Sequence, residues 1–130
     1  KAYQLFLHAT RLDLDDYNNE ADQGLHITSM PGSWLAIVRG FAGMQVLKET
    51  LCFSPVIPQK WDSYSFKVNY LKNTLHIRVG KEIEISLTAG SKVDIQVYGH
   101  PYTLERGTEL KINMPMTCGV IAQHKHCAAN

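Results

Sequence analysis

The chain has 130 residues, of which 45% are hydrophobic and 19% are charged, a composition typical of one globular domain or of a small domain plus part of its neighbour. Lys and Arg number 13 against 12 Asp and Glu, so the net charge of +1 provides no electrostatic attraction for a nucleic acid backbone. The apolar runs are far shorter than the roughly 20 residues that a membrane-spanning helix needs. Neither a nucleic acid nor a membrane partner is therefore expected.

A first helix is predicted at the start of the chain. Apolar residues recur there at the three- and four-residue spacing that lines one helix face, namely Ala2, Leu5, Phe6, Ala9 and Leu12. The chain begins at Lys1 rather than at a methionine, and this pattern is already under way at Ala2. We therefore expect the sequence to be a piece of a longer polypeptide.

An acidic segment, residues 13–24, follows the first helix. Its short Asp and Asn side chains compete with the backbone for hydrogen bonds, which is typical of turns. A catalytic carboxylate pair or a calcium loop is an alternative interpretation, but the glycine and terminal glutamate of an EF-hand pattern are absent. We favour a solvent-exposed loop whose side chains form hydrogen bonds with its own backbone.

A second helix is predicted to begin near Thr28 or Ser29. Pro31 is tolerated only in the first helical turn, where its missing N–H would have no partner within the helix. Apolar residues then continue at helical spacing, at Trp34, Ile37, Val38 and Phe41. Gly40 and Gly43 are suited to ending this helix.

The start of the second helix is a candidate anion site. His26 precedes it, and Thr28 and Ser29 add two hydroxyl groups. A helix N-terminus presents unpaired N–H groups and a partial positive charge, so it attracts anions, and phosphate is the natural ligand to consider. From spacing alone, the simpler interpretation is that Ser29 caps the helix and His26 packs in a loop.

From Met44 onwards the hydrophobic period changes from about 3.6 to 2, which indicates β-strands. Alternating runs lie at 64–70, 75–79, 83–87, 93–97, 102–104 and 110–114, with turn residues at 72–73, 80–81, 89–91, 99–101 and 106–108. Short strands at this spacing predict a mainly β fold, an antiparallel β-sandwich preceded by two α-helices. Parallel pairing is not expected, because it requires helical crossovers.

Trp61 precedes the first of these alternating runs, and Phe53 and Tyr64 are near it in sequence. Exposed aromatic rings can form a platform that stacks on sugars. Aromatic residues at strand positions are more often part of the core, and we favour that interpretation for Trp61.

The last residues, 115–130, show no periodicity and are predicted to form a loosely held tail. Metal-capable side chains in the tail are Cys118, His124, His126 and Cys127. Their spacing matches no zinc site, so no metal site is predicted. Together with Cys52 the chain has 3 cysteines, an odd set without disulfide-scaffold spacing, which favours a reducing compartment, the cytoplasm.

Several short sequence segments occur in an order that resembles glycoside hydrolase family 65. Residues 12–20 (LDLDDYNNE), 24–30 (GLHITSM), 32–34 (GSW) and 40–44 (GFAGM) look like the last stretch of that family's catalytic barrel. Residues 51–55 (LCFSP), 57–58 (IP), 61 (W) and 63–67 (SYSFK) are similar to the opening of its C-terminal sandwich. The resemblance covers most of residues 1–100. The acidic segment within residues 12–20 looks closest to the maltose phosphorylase type.

The resemblance implies an (α/α)6 barrel with a glutamate general acid, followed by a small C-terminal jelly roll. Residues 1–43 would then be the end of the barrel, 44–114 the sandwich domain and 115–130 the tail. The general acid would lie upstream, outside this chain, so no catalytic residue is expected here and the piece alone is expected to be inactive. The implied enzyme is an inverting phosphorylase that converts maltose and phosphate to glucose and β-glucose 1-phosphate.

The resemblance also implies a role for the candidate anion site. The family's phosphate pocket is similar to the His-x-x-Ser sequence formed by His26 and Ser29, with Thr28 a weaker contributor. Inorganic phosphate is a co-substrate, and no cofactor is implied. The expected partners are an α-glucosyl disaccharide, phosphate, the rest of the catalytic barrel and a second copy of the chain in a homodimer.

An alternative from another class is a carbohydrate-binding or purely bracing β-sandwich without a catalytic role. A flat, exposed strip of aromatic rings that includes Trp61 would favour sugar binding, whereas buried rings would favour bracing. For a piece of a barrel, the apolar face formed by Trp34, Ile37 and Phe41 is expected to be exposed unless a neighbour covers it.

Overall fold

In a computed structural model, the chain folds as two helical elements followed by two packed β-sheets, and the structure describes residues 2–11, 15 and 29–115. Helix α1 spans Ala2–Thr10, and helix α2 spans Ser29–Leu35 and continues directly into a π-helical segment, Ala36–Phe41. Helices α1 and α2 pack against each other. In the described part of the chain, no helix has the length and apolar character needed to cross a membrane.

Strands follow from residue 45 onwards. They are β1 Gln45–Leu47, β2 Thr50–Phe53, β3 Tyr64–Tyr70, β4 Asn73–Val79, β5 Glu82–Ala89, β6 Lys92–Val97, β7 His100–Glu105 and β8 Glu109–Asn113. The first sheet has the order β1-β2-β6-β7 and the second sheet the order β3-β4-β5-β8. The prediction of a mainly β sandwich preceded by two helices is confirmed.

One strand pair differs from the predicted antiparallel arrangement. Strand β2 runs parallel to β6, with Leu51 opposite Ile95 and Phe53 opposite Val97. The expectation that a parallel pair would need a helical crossover is wrong here, because the chain between β2 and β6 crosses through the other sheet as strands β3, β4 and β5. Residue periodicity indicates that a strand exists, but it carries no information about the direction of the strand's partner.

The hydrophobic core lies between the two sheets, because successive strand residues point to opposite faces. In β4, Leu75, Ile77 and Val79 are all 0% exposed, whereas Arg78 between them is exposed and faces outward. Each such buried aliphatic side chain contributes roughly 1.5–3 kcal/mol through removal of apolar surface from water. On the outer face, the guanidinium of Arg78 lies 3.4 Å from the carboxylate of Glu84.

Two hairpin turns contain left-handed residues other than glycine. Lys48 and Glu49, between β1 and β2, have φ of 47° and 60°, and Leu71 and Lys72, between β3 and β4, have φ of 47° and 62°. Two consecutive residues of this kind are typical of a type I′ turn, which matches the twist of the flanking strands. The second turn lies one residue before the predicted position, and Asn73 starts β4.

Candidate functional site

The predicted anion site lies at the start of helix α2. Within the described residues the helix spans Ser29–Leu35, in agreement with a predicted start near Thr28 or Ser29, and Pro31 lies close to its start, where a missing N–H removes no hydrogen bond of the helix. His26 and Thr28 lie outside the described residues, and Ser29 is described by its backbone alone. The phosphate-binding role of the three side chains therefore stays a prediction.

Helix α2 continues into the π-helical segment, and the end of that segment is held to the sandwich by two backbone hydrogen bonds. The Ser54 N–H donates to the Ala42 carbonyl at 3.1 Å, and the Val56 N–H donates to the Phe41 carbonyl at 2.7 Å. We call these two bonds the helix clasp. The last carbonyls of a helix have no partner within the helix, so the clasp satisfies groups that would otherwise need water.

Gly43 allows the helix and the sandwich to approach closely at the clasp. Its φ is +59°, the left-handed conformation that commonly ends a helix. A Cβ atom at this position would lie only 2.8 Å from the Ser54 carbonyl oxygen. Just before it, the Ala42 N–H donates to the Ile37 carbonyl at 2.8 Å, the five-residue bond of a π-helix. Gly43 therefore ends the helix, as predicted, and its missing side chain also leaves room for Ser54.

Trp61 joins the helices to the sandwich. Its ring centroid lies 5.4 Å from that of Phe6 in α1, 5.9 Å from that of Tyr3 in α1 and 5.1 Å from that of Phe41 in the π-helical segment. On the sandwich side, the Tyr64 ring of β3 is 5.6 Å away. We call these five residues the aromatic junction. Most of the rings meet edge to face, an arrangement that the ring quadrupoles favour.

The aromatic junction confirms that Trp61 packs against the core, because the ring is partly buried and in contact with the core cluster. A partly buried ring that packs against four other rings does not present a flat platform to a sugar. The contribution of α1 was not predicted. Tyr3 and Phe6 lie three residues apart on one helix face, which was the only signal in the sequence that they could share a partner.

Two tyrosines hold the segment that carries the clasp. The Tyr64 hydroxyl donates to the Val56 carbonyl at 3.0 Å, and the Tyr98 hydroxyl donates to the Pro55 carbonyl. Burial raises the pKa of Tyr98 to about 12. Burial, and then the charge on Tyr98, raises the pKa of Tyr64 above its usual value. Both hydroxyls therefore stay protonated donors at neutral pH.

We expect the stabilising effect of the Tyr98 hydroxyl to be lost in alkali. At pH 8, Tyr98→Phe should lower the free energy of unfolding by about 1 kcal/mol through loss of one hydrogen bond. Because the folded-state pKa is raised, the unfolded state loses its proton first above pH 10, and the wild type loses stability between about pH 10 and 12. The difference in free energy of unfolding between the wild type and Tyr98→Phe, measured by urea unfolding, should therefore decrease as pH rises. A difference in free energy of unfolding that does not change with pH would contradict this prediction.

The predicted apolar face is only partly exposed. Trp34 is 44% exposed, as predicted, but Ile37 and Phe41 pack against the core. The prediction was wrong for these two residues because the sandwich itself covers that side of the helix. Met30 and Leu35 are also exposed, at 65% and 43%, so helix α2 keeps an uncovered apolar surface.

No group of three His, Cys, Asp or Glu side chains that could hold a metal ion occurs within residues 2–11, 15 and 29–115. The metal-capable tail residues, Cys118, His124, His126 and Cys127, lie outside the described residues.

Comparison with protein families gives two matches that follow one another along the chain. The model of the glycosyl hydrolase family 65 central catalytic domain matches residues 1–35, and that of the glycosyl hydrolase family 65 C-terminal domain matches residues 44–104. The first range includes the candidate anion site and helix α2, and the second contains strands β1 to β6 and most of β7.

Individual relatives are disaccharide phosphorylases. The chain is 47% identical to maltose phosphorylase of Bacillus subtilis over 81% of its length. It is 38% identical to an α,α-trehalose phosphorylase of Geobacillus stearothermophilus over 86%, and 35% identical to a kojibiose phosphorylase of Thermoanaerobacter brockii over 80%. These alignments span 14%, 15% and 14% of the three relatives, so the chain corresponds to a small part of each.

A solved structure described as a kojibiose phosphorylase from human microbiome has the same fold. It superposes with a TM-score of 0.80 and 34% sequence identity, covering 88% of this chain and 17% of that one.

Proposed function

Because the chain belongs to glycosyl hydrolase family 65, we propose that it forms the C-terminal part of an inverting disaccharide phosphorylase of the maltose phosphorylase type. This enzyme converts maltose and inorganic phosphate to glucose and β-glucose 1-phosphate. The observation that carries the proposal is the 47% identity to a maltose phosphorylase, against 38% and 35% to the trehalose and kojibiose phosphorylases. The order of these identities favours maltose over the other two disaccharides.

In this reaction a phosphate oxygen attacks the anomeric carbon of the glucosyl unit from the face opposite the leaving sugar. The glycosidic C–O bond breaks, and a general acid, a glutamate upstream of this chain, gives its proton to the leaving oxygen. Inverting hydrolases need a second carboxylate to activate water. Phosphate is already anionic, so the site must instead hold that anion in line with the bond that breaks.

Holding the anion is the role that we assign to the start of helix α2. His26 donates a hydrogen bond or a positive charge, and Ser29 offers its hydroxyl and a backbone N–H, with Thr28 in a weaker supporting role. Support comes from the His-x-x-Ser sequence and from the helix that begins at Ser29. Phosphate is the co-substrate, and the mechanism needs no other cofactor.

We divide the chain into the end of the catalytic barrel, residues 1–43, the sandwich, 44–114, and the tail, 115–130. Val38 and Ala42 belong to the sandwich core, so the last part of the helix is shared between the two units. The rest of the catalytic barrel is the partner that would cover Trp34 and its exposed neighbours. We place the enzyme in the cytoplasm, from its cysteine content, and propose that it is a homodimer.

The test of the phosphate site is His26→Ala in the full-length enzyme, with maltose saturating and phosphate varied. Loss of one hydrogen bond to a charged ligand costs about 1.5–3 kcal/mol, so we expect KM for phosphate to rise about ten- to a hundredfold. His100→Ala makes the same change at an exposed position of β7 and should leave KM unchanged. An unaltered dependence on phosphate in His26→Ala would remove His26 from the site.

The alternative function is a sandwich that binds carbohydrate or braces its neighbour without taking part in catalysis. The packing of the aromatic junction favours bracing over sugar binding, because Trp61 is surrounded by Phe6, Phe41 and Tyr64. Bracing is also compatible with the phosphorylase proposal, since a domain that fastens the barrel's last helix influences the site at that helix's start.

A further inference from the structure

A cleft of about 410 Å³ lies at the end of the sandwich opposite the helix clasp, where the β1–β2 turn, the β3–β4 turn and the start of β6 meet. Residues that line it include Glu49, Tyr70, Leu71, Asn73, Lys92 and Asp94. Strand β3 runs from Tyr64, in the aromatic junction, to Tyr70, in the cleft, and its seven residues at about 3.3 Å each separate the two regions by roughly 20 Å. The cleft is therefore distinct from the region where the helices join the sandwich.

The rim of the cleft is held by two tight turns. Glu49 and Leu71 each belong to a two-residue turn of left-handed backbone, with φ of 60° and 47°. The Tyr70 hydroxyl donates to the Glu49 carbonyl at 2.7 Å, which ties one turn to the other. The side-chain amide of Asn73, a residue only 8% exposed, donates to the Leu71 carbonyl at 3.0 Å. A rim that is already ordered lowers the entropy cost of binding a ligand.

The charges of the lining favour a neutral ligand. Two carboxylates, those of Glu49 and Asp94, and one ammonium, that of Lys92, give the lining a net charge of −1, which does not favour an anion such as phosphate. Within the described residues, Glu49 and Lys92 have no ion-pair partner. The described part of the chain also contains no group of three side chains that could hold a metal ion, so a cation site is not indicated here.

A sugar ring has the chemistry that this lining matches. The C–H groups of a pyranose pack on aromatic and aliphatic side chains, here Tyr70 and Leu71, and Leu71 is 68% exposed without a ligand. The hydroxyl groups of a sugar donate to carboxylates and accept from an ammonium. The volume lies near the lower end of the roughly 300–1,000 Å³ typical of ligand sites, which suits one or two sugar rings.

We propose that this cleft is a carbohydrate-binding site that takes a neutral α-glucosyl sugar and is separate from the site of phosphorolysis. Tyr70 and Leu71 contact the C–H groups of the sugar, and the charged side chains of Glu49, Lys92 and Asp94 bind its hydroxyls. The choice of maltose as the sugar rests on the proposed function, whereas the site itself rests on the cleft. Trp61, enclosed by other rings, takes no part in this site.

Titration of the isotope-labelled 130-residue chain with maltose, followed by NMR, tests the proposal. Because the cleft is open to solvent on one side, we expect a Kd on the order of 1 mM. Saturable shifts should occur at the amides of residues 70–73 and 92–94, while those of helix α2 stay unchanged. Glycerol at the same concentration of hydroxyl groups should cause no saturable shift. Absence of saturable shifts at these residues up to about 20 mM maltose would overturn the proposal.

Asp94→Asn removes a charged acceptor and keeps the shape of the side chain. Loss of the charge on one hydrogen bond should raise the Kd for maltose about tenfold. Glu82→Gln makes the matched change at an exposed residue of β5 outside the cleft, and its Kd should equal that of the wild type. Equal Kd values for Asp94→Asn and the wild type would contradict the assigned site.

A second variant covers the case in which Asp94→Asn does not fold, since Asp94 also accepts the Thr103 hydroxyl at 2.6 Å. Lys92→Met keeps the aliphatic part of an exposed side chain and removes its ammonium. We expect the Kd for maltose to rise about fivefold through loss of one charge-assisted hydrogen bond. A Kd identical to that of the wild type would count against the cleft in the same way.

The full-length enzyme separates this inference from the proposed function. If that enzyme does not phosphorolyse maltose while the 130-residue chain shows the expected shifts, the proposed function fails and the carbohydrate site stands. If the enzyme is active and the chain shows no shifts at the cleft, the carbohydrate site fails and the proposed function stands.

Discussion

Replacing Trp61 by alanine is expected to lower the free energy of unfolding of the chain by about 2–4 kcal/mol. The ring contacts Phe6 of α1, Phe41 of the π-helical segment and Tyr64 of β3, so its removal leaves a cavity where three elements meet. The surrounding rings cannot all collapse into that space, because each is fixed by its own element. Urea unfolding followed by far-UV circular dichroism measures the loss.

The matched control is Trp34→Ala. Trp34 is the other tryptophan of the chain; it belongs to helix α2, and its side chain is 44% exposed and lies outside the aromatic junction. Its removal should cost less than about 1 kcal/mol. If the two variants lost equal stability, the view that Trp61 joins the helices to the sandwich would have to be abandoned.

Gly43→Ala is expected to have a comparable effect, about 2–4 kcal/mol, for a different reason. A left-handed residue with a side chain costs roughly 1–2 kcal/mol in backbone energy. The new Cβ would also lie 2.8 Å from the Ser54 carbonyl oxygen and 3.1 Å from the Ser54 Cβ. Since Ser54 is held by its clasp bond to Ala42, relief of this contact requires the clasp to open.

Gly107→Ala separates the cost of backbone strain from the cost of the contact with Ser54. Gly107 has φ of +83°, and a Cβ there would meet nothing within 4 Å, so this variant has the backbone strain without the contact. We expect a loss of about 1–2 kcal/mol by urea unfolding, clearly smaller than that of Gly43→Ala. Equal losses would show that the close approach to Ser54 contributes nothing.

The strands from residue 64 onwards could be predicted because each has one face in the core. In β4 and in residues 82–87 of β5 every second residue is buried, and this is the pattern that periodicity detects. Strands β1 and β2 were not predicted individually. β1 is exposed along its whole length, whereas Leu51, Cys52 and Phe53 of β2 are all buried, so neither strand alternates.

The candidate site was predictable only in its local part. The helix start at Ser29 follows from Pro31 and the spacing of the apolar residues, which are properties of neighbouring residues. The clasp could not be predicted, because it joins the backbones of Phe41 and Val56 and leaves no trace in side-chain pattern. The meeting of Phe6 and Trp61 likewise depends on how distant segments pack.

The parallel pairing of β2 with β6 has a consequence for the order of assembly during synthesis on the ribosome. Strands β3, β4 and β5 pair with their immediate neighbours and can close as soon as they emerge. A nascent chain that stops before Ile95 contains β2 without its parallel partner, and it also lacks Tyr98, which anchors Pro55 beside the clasp. The helix that spans Ser29–Leu35 is made before the sandwich, but it is therefore fastened only when much of the sandwich has been made.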